Sequence, residues 1–276
     1  MERKIYSNGE AEHLCTFDVI KFGGTSLGNS QMVNRCIETV RCGVFQAVVV
    51  SAPGKTTNLL EEMLDRHLPL KDDSKVLDIY HALQEELGLP EPNLIDNCIA
   101  DLSNRLISNE RDSVLAWGEW SMAQIFAAKM GATFVDSAEV LKVVEDSNGD
   151  RMIHESSADL VNRKFDNSSG VLVFSGFYGS SLMDNKVMTL NRGGSDYVGV
   201  YIASCIGSGL VKSTDVDGLL DFGGNVISNA NFCDLIAFDK NVQLINKQAR
   251  DYAQCTGTRI WVKNSIKIDA QGTIIS

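Results

Sequence analysis

The chain has no run of about 18 or more apolar residues, so the sequence offers no segment suited to a transmembrane helix. Its first residues, Met1 to Thr16, mix charges, Gly9 and small polar groups without the apolar stretch of a signal peptide, and are expected to form a flexible arm. Histidine is scarce: His13, His67, His81 and His154 make no metal-ligand spacing with one another, which leaves them surface or packing roles. Positive charge is short as well. With 25 Lys and Arg against 36 Asp and Glu the net charge is −11, a surface that draws neither nucleic acid nor an anionic membrane. An anionic substrate must then be attracted by cations gathered locally in a cleft. The seven cysteines (Cys15, Cys36, Cys42, Cys98, Cys205, Cys233 and Cys255) are odd in number and include no Cys-x-x-Cys pair. They fit reduced thiols in a cytoplasmic protein better than a disulfide frame or a zinc site. Internal repeats and low-complexity tracts are absent too.

What is present is a core. At 276 residues and 44% hydrophobic, the chain can bury one large core or two fused lobes. Apolar, β-branched runs at Phe17–Ile20, Ala47–Val50, Val171–Phe174, Leu210–Val211 and Arg259–Val262 read as buried strands. Between them, Met32, Cys36, Ile37 and Val40 recur at helical spacing, as do Val198, Ile202, Cys205 and Ile206. Strands alternating with helices predict an α/β fold, a three-layer sandwich whose mostly parallel central sheet is flanked by helices. Residues from about 58 to 130 read as a mainly helical insertion, with turn signals at Pro69, Gly88-Leu89-Pro90 and Pro92. Glu145 to Arg151, centred on Ser147-Asn148-Gly149-Asp150, reads as a hairpin turn with a solvated, charged tip.

Three glycine-bearing loops carry the chemistry. Lys21-Phe22-Gly23-Gly24-Thr25-Ser26 follows the first apolar run and precedes an amphipathic helix. Backbone N–H groups and a helix N-terminus can converge there on an anion, with Lys21 adding a full charge. An ordinary Gly-rich strand-to-helix turn is the alternative for that segment alone. Thr189-Leu190-Asn191-Arg192-Gly193-Gly194-Ser195-Asp196 precedes another helical stretch, and Thr214-Asp215-Val216-Asp217-Gly218 follows a further apolar run, so the three argue together for a composite site. Arg192 can grip a carboxylate through two parallel hydrogen bonds. Asp196, at a helix start, can cap backbone N–H groups. Pro53-Gly54-Lys55-Thr56 contains Gly-Lys-Thr, but Val49 stands where a Walker loop needs its first glycine.

These segments resemble the catalytic domain of aspartate kinases, within the amino acid kinase superfamily. Val48-Val49-Val50-Ser51-Ala52 with Thr57-Asn58-Leu59-Leu60, Trp117-Gly118-Glu119 with Ser121, and Ser175-Gly176-Phe177 occur beside the glycine loops in family order, from about Val19 to the C-terminus. The resemblance implies the amino acid kinase fold over residues 17–276, with an acceptor-substrate lobe at 17–190 and a nucleotide lobe at 191–276. It implies an ATP-dependent kinase, acting with Mg2+ to which no protein ligand is assigned, that phosphorylates the side-chain carboxylate of L-aspartate. In that reading Lys21 and Asp196 are catalytic, Asp196 ordering Lys21 and the phosphates. Ser51, Thr57, Glu119, Phe177, Arg192, Gly194 and Ser195 line the amino acid pocket, with Glu119 on the α-ammonium group. Lys21, Gly23, Gly24, Thr25, Thr214 and Asp215 meet the nucleotide. A homodimer is expected, as in much of the superfamily.

The pattern breaks on the nucleotide side. Leu219-Leu220-Asp221-Phe222-Gly223-Gly224-Asn225 stands where the family has a tyrosine and an Asp-Pro-Arg or Asp-Pro-Lys segment, Gln243 aligns with a family lysine for which Lys240 or Lys247 would substitute, and Asn191 replaces a glycine. Regulatory ACT domains do not follow the closing strand at Gly272–Ser276, so feedback through them is not expected. Two alternatives stay open: a kinase for another amino acid or a hydroxy acid, and a catalytically weakened paralogue that binds an amino acid or a partner subunit.

Overall fold

The structure, a computed structural model, describes residues 16–71, 74–238, 244–267 and 270–276. Residues 1–15 of the expected arm, Lys240 and Gln243 lie outside the described residues. Thr16, the last residue assigned to that arm, is tied down: its carbonyl accepts from Gly209 N at 2.8 Å and from Ser208 Oγ at 3.0 Å.

In chain order the elements are β1 (Val19–Phe22), a 3-10 turn at Thr25–Leu27, α1 (Ser30–Cys42), β2 (Ala47–Val50), α2 (Thr56–Asp65), α3 (Lys75–Leu87), α4 (Leu94–Ser108), α5 (Arg111–Met130), β3 (Thr133–Val135), α6 (Ser137–Val140), β4 (Lys142–Glu145), β5 (Arg151–Ile153), α7 (Ser157–Asp166), β6 (Leu172–Ser175), β7 (Tyr178–Ser181), β8 (Val187–Thr189), α8 (Gly194–Cys205), β9 (Leu210–Thr214), β10 (Asn229–Ala230), α9 (Phe232–Phe238), α10 (Lys247–Thr256), β11 (Ile260–Asn264) and β12 (Thr273–Ile275). Among the described residues, eight strands form one sheet in the order β10-β12-β11-β9-β1-β2-β6-β3, parallel throughout except where β12 pairs antiparallel with β11.

Alternating side chains of each strand feed opposite faces, and this alternation makes the three layers. Ile20, Phe22, Val48, Val50 and Val173 pack with Ile37 of α1, Leu60 of α2, Tyr80 of α3, Leu102 of α4 and Trp117 of α5. Val19, Val49, Phe174, Leu210 and Ile260 pack with Val161 of α7, Val198 and Ile202 of α8, and Ala249 and Ala253 of α10. Each fully buried valine, leucine, isoleucine or phenylalanine among them contributes roughly 1.5–3 kcal/mol. The α/β sandwich expected from strand and helix alternation is the observed one.

A second sheet, β5-β4-β7-β8, was not anticipated. Its strands are three or four residues long and partly polar, too short for a periodic signal to stand out from loop sequence. The expected hairpin joins β4 to β5 with Glu145 opposite Arg151. Its tip, from Asp146 to Asp150, is exposed as expected, and only Arg151 at its end is half-buried. Arg151 Nη1 reaches Asp112 of α5 at 2.8 Å and the Thr189 carbonyl at 3.0 Å, while Asp150 Oδ1 accepts from Asn191 Nδ2 at 2.9 Å. Partners from distant segments, invisible to local spacing, anchor the end of this hairpin at Asp150 and Arg151.

Candidate active site

In the central sheet, β1 lies between β2 on one side and β9 on the other, so the chain reverses its direction of winding there. Crevices outside the carboxyl ends of strands at such points hold ligands in open α/β sheets. The ends of β1, β2, β6 and β9 carry the loops singled out from sequence.

After β1 the chain does not enter a helix directly. The 3-10 turn at Thr25–Leu27 intervenes, and α1 starts only at Ser30, where Asn29 Oδ1 accepts from Met32 N at 3.0 Å. The strong side-chain cap at Asn29 delays the helix, so its N-terminus stands beyond the glycine pair rather than at it. Gly24 is required for close approach. A Cβ there would fall 2.7 Å from the Ala52 carbonyl, where Gly54 N donates to Gly24 O at 2.9 Å. The loop after β1 is thereby laid on the loop after β2, which holds Ser51; Thr25 is exposed at its tip.

Lys21, in β1 itself, is 7% exposed, and its Nζ lies 2.8 Å from Asp196 Oδ1 in the first turn of α8. Lys212 of β9 approaches the other oxygen: its Nζ donates to Asp196 Oδ2 at 2.5 Å and to the Leu244 carbonyl at 2.5 Å. Burial on its own would raise the Asp196 carboxyl. The two ammonium groups overcome it and hold this acid well below the usual carboxylate range. Asp196 thus ties two strands together rather than capping its helix through a side-chain bond; Gly193 occupies the cap position with φ +85°.

Glu119 is buried within α5 at 4% exposure. Burial is the dominant influence and pushes its carboxyl up to about 8, against weaker opposing effects from the Ala52 N–H and the charge of Lys21. Its Oε2 has no partner among the described residues. Gly118 is what lets this helix so near the β2–α2 loop, since a Cβ would fall 2.7 Å from Ala52 Cβ. A buried acceptor oxygen without a donor is suited to an incoming cation.

Arg192 is exposed, precedes α8 and reaches across to α2, its Nη2 donating to Asn58 Oδ1 at 2.9 Å beside half-buried Thr57. Its carbonyl accepts from Asn246 Nδ2 at 2.7 Å. Buried Gly194 and Ser195 follow, Ser195 packing against Gly176 after β6. Phe177 holds φ at +71° in a tight turn in which Tyr178 N donates to Gly176 O at 3.0 Å. A non-glycine residue in that region is costly and needs support from its surroundings. Support comes from Tyr178 OH, which donates to Asp136 Oδ1 at 2.8 Å and accepts from Ser175 Oγ at 2.9 Å.

On the β9 side, Thr214 Oγ1 donates to Asp215 Oδ1 at 3.2 Å, and Asn264 Nδ2 holds the loop through the Asp217 carboxylate at 2.7 Å. Leu219–Asn225 closes into a small hairpin. Leu220 bridges Val226, and Asp221 Oδ1 accepts from the Gly223 and Asn225 N–H groups at 2.8 and 2.9 Å, leaving Phe222 at 85% exposure. Lys247, considered as a substitute cation, points away to Asp251 at 2.6 Å and is largely exposed.

Lys21, Glu119, Asp196 and Arg192 therefore stand at one edge of the sheet, as their loops suggested, with Thr214 and Asp215 along the same edge. Sequence reasoning missed Lys212, Asn58, and the Asp136–Tyr178 support of Phe177. Lys212 had a readable signal: a lysine inside a central parallel strand, a setting where lysine is rarely found without a partner.

The model of the amino acid kinase family matches residues 17–260. Aspartokinase 3 of Bacillus subtilis (strain 168) is 26% identical over 287 residues, which cover 92% of this chain and 62% of the relative. An aspartokinase of Mycolicibacterium smegmatis is 25% identical over 93% of this chain and 56% of its own length. Among solved structures, the aspartate kinase of Clostridium acetobutylicum superposes with a TM-score of 0.81 at 25% identity, covering 94% of this chain and 62% of that one. The E. coli aspartokinase III complex with aspartate and ADP has the same fold, TM-score 0.81 at 21% identity, with 94% and 64% covered. The chain thus spans less than two thirds of the length of each of these proteins.

Proposed function

This chain belongs to the amino acid kinase family, and we propose from that membership that its cleft transfers the γ-phosphoryl group of ATP to the side-chain carboxylate of L-aspartate, giving 4-phospho-L-aspartate. The observation that carries the reading is the gathering of Lys21, Asp196, Glu119 and Arg192 at one sheet edge, with one Glu119 oxygen buried and unpartnered.

A carboxylate oxygen forms the new bond to phosphorus. The bond from that phosphorus to the β–γ bridging oxygen breaks, and its electron pair leaves with ADP. The acceptor is already ionised near neutral pH, so no proton need move. Two anions must be brought together, which makes positioning and charge stabilisation the protein's work. Lys21 binds the oxygens of the transferred group, held in place by Asp196, while the N–H groups around Gly23, Gly24 and Thr25 assist. Arg192 exchanges Asn58 for the α-carboxylate of the amino acid. Glu119 receives the α-ammonium group, and Ser51, Thr57, Phe177, Gly194 and Ser195 line the acceptor. Thr214 and Asp215 meet the adenosine part. Among the described residues no group of three or more His, Cys, Asp or Glu side chains could hold a metal ion. When bound with the nucleotide, magnesium would offset the negative charge of the phosphates; no protein ligand and no step is assigned to it.

In this reading residues 17–190 form the acceptor lobe and residues 191–276 the nucleotide lobe of a cytoplasmic homodimer. Hydroxamate trapping with aspartate, glutamate and their homologues tests the acceptor. Formation of aspartyl hydroxamate that requires ATP is the expected result, and its absence with preserved turnover of another acid would reassign the substrate. A second reading, a binder with weakened nucleotide affinity, draws support from the Leu219–Asn225 hairpin, which carries no basic residue. Calorimetry with ATP separates the two.

A further inference from the structure

Helix α5 and the loop that carries Arg192 are fastened together at a point outside the amino acid pocket. Asp112 lies in the first turn of α5, about two turns before Glu119 and on nearly the same face of the helix. Its Oδ1 accepts from Thr189 Oγ1 at 2.7 Å and from Arg151 Nη1 at 3.0 Å, and its Oδ2 accepts from Arg151 Nη1 at 2.8 Å. Arg151 Nη1 also donates to the carbonyl and the hydroxyl oxygen of buried Thr189, both at 3.0 Å, while its Nε donates to Glu145 Oε2 at 2.7 Å. From this clamp the constraint runs along the chain to Arg192. Asn191 Oδ1 accepts from Arg151 N at 3.1 Å, its Nδ2 donates to Asp150 Oδ1 at 2.9 Å, and its carbonyl accepts from Gly194 N at 2.9 Å. Helix α10 closes the arrangement, with Gln248 Nε2 donating to the Arg151 carbonyl at 3.1 Å and Asn246 Nδ2 to the Arg192 carbonyl at 2.7 Å.

The side chains of Arg151 and Asp112 are each 25% exposed, and an ion pair that far into solvent adds little to stability. What it does fix is geometry, because a guanidinium fork on a carboxylate is directional. Arg192 itself is exposed, and an exposed arginine keeps rotamer freedom that burial does not remove, so its aim must be set by the backbone on which it stands. We propose that Arg151 is a positioning residue for the acceptor amino acid: through Asp112 and Thr189 it holds the Arg192 loop at a fixed separation from Glu119. This rests on the kinase reading above, in which Glu119 and Arg192 take the α-ammonium and α-carboxylate groups. With both α-substituents held, the side-chain carboxylate of aspartate meets the phosphoryl group, whereas that of glutamate, one methylene further out, overshoots it. A loosened frame weakens aspartate binding and narrows its advantage over the longer acid.

The test compares the full chain with Arg151→Met and Arg151→Lys, in steady-state kinetics with aspartate, glutamate and ATP. Methionine keeps the apolar reach of the arginine stem and leaves Asp112 bonded to Thr189, so the variant should fold. Asp112→Asn, with the same readouts, breaks the clamp from the other side if it does not. Expected for Arg151→Met are an aspartate KM raised about tenfold, an unchanged ATP KM, a roughly fivefold loss of preference for aspartate over glutamate, and partial recovery of each in Arg151→Lys. In an Arg192→Ala background, Arg151→Met should raise the aspartate KM no further, since its effect travels through Arg192. Additive effects, or equal rises in the KM of aspartate and ATP, would make Arg151 structural and overturn the proposal. Hydrogen exchange reads the frame without substrate: the Leu190 and Gly194 amides should exchange faster in Arg151→Met while those of β1 and β9 keep their rates. Unaltered exchange at Leu190 and Gly194 also overturns it. If the parent phosphorylates another acid in place of aspartate and Arg151→Met raises the KM of that acid alone, the aspartate reading falls while this inference stands. If the parent phosphorylates aspartate and Arg151→Met does so with the same constants, the inference falls alone.

Discussion

Charge at single residues decides most of what this cleft can do. Lys21 touches the transferred group in the proposed mechanism whereas Arg192 touches only the acceptor, so their variants should separate kinetically. Lys21→Ala is expected to lower kcat by about 100-fold or more with little change in the aspartate KM. Arg192→Ala is expected to raise that KM at least tenfold, through loss of a paired hydrogen bond, with a smaller effect on kcat. Steady-state kinetics at saturating ATP distinguishes these outcomes, and unchanged constants in both variants would remove the site assignment. Glu119 offers a stability signature. Its carboxyl titrates near 4.5 in the unfolded chain but is pushed up to about 8 by burial in the folded one. Between those values the folded state holds a proton that the unfolded state has released, so stability falls as pH rises through that window, by an amount on the order of a few kcal/mol. Glu119→Gln cannot ionise and should show a flatter dependence in urea titrations at pH 5 and pH 8. Parallel curves for parent and variant would show that Glu119 is not so perturbed.

At the scale of elements, close approach matters more than length. Helix α5 enters the cleft region because Gly118 presents no side chain to Ala52 and Thr56. Gly118→Ala must displace the helix or the β2–α2 loop, an overpacking that costs roughly 1–3 kcal/mol. Because Glu119 follows directly, the same shift should weaken aspartate binding more than nucleotide binding. A melting temperature lowered by several degrees together with an unchanged acceptor KM would dissociate packing from site and contradict this view. The short second sheet has a comparable role. Arg151, clamped between Asp112 and Thr189, fixes the hairpin whose Asp150 holds Asn191, the residue before Arg192. Asn191 is thereby bonded on both sides, its Oδ1 accepting from Arg151 N at 3.1 Å.

For the molecule as a whole, the decisive fact is that early and late parts of the chain share one sheet. β1 is hydrogen-bonded to β2 and to β9, and one hydrophobic core runs without a break across the proposed lobe boundary at residue 190. Unfolding should therefore appear as one cooperative transition by both circular dichroism and tryptophan fluorescence. An ATP analogue at a hundredfold excess over its Kd should raise stability by about 2.7 kcal/mol without splitting that transition. Two resolved transitions, only one of them nucleotide-sensitive, would mean that the segments fold independently.

From the one-dimensional chain, the strand runs at Ala47–Val50 and Val171–Phe174, the helical spacing of α1 and α8, and the glycine-bearing loops were all readable, because hydrophobic period and glycine placement are local properties. The clustering of Lys21, Glu119, Arg192 and Asp196 was inferable only through loops of matching kind at strand ends. Lys212 beside Lys21, Asn58 under Arg192 and the inward turn of Arg151 depend on strand order and register, which bring together residues 191, 134 and 39 positions apart. Such pairings arise from burying two sheet faces at once. No local spacing encodes them, and so the charge balance of the cleft was settled by tertiary structure.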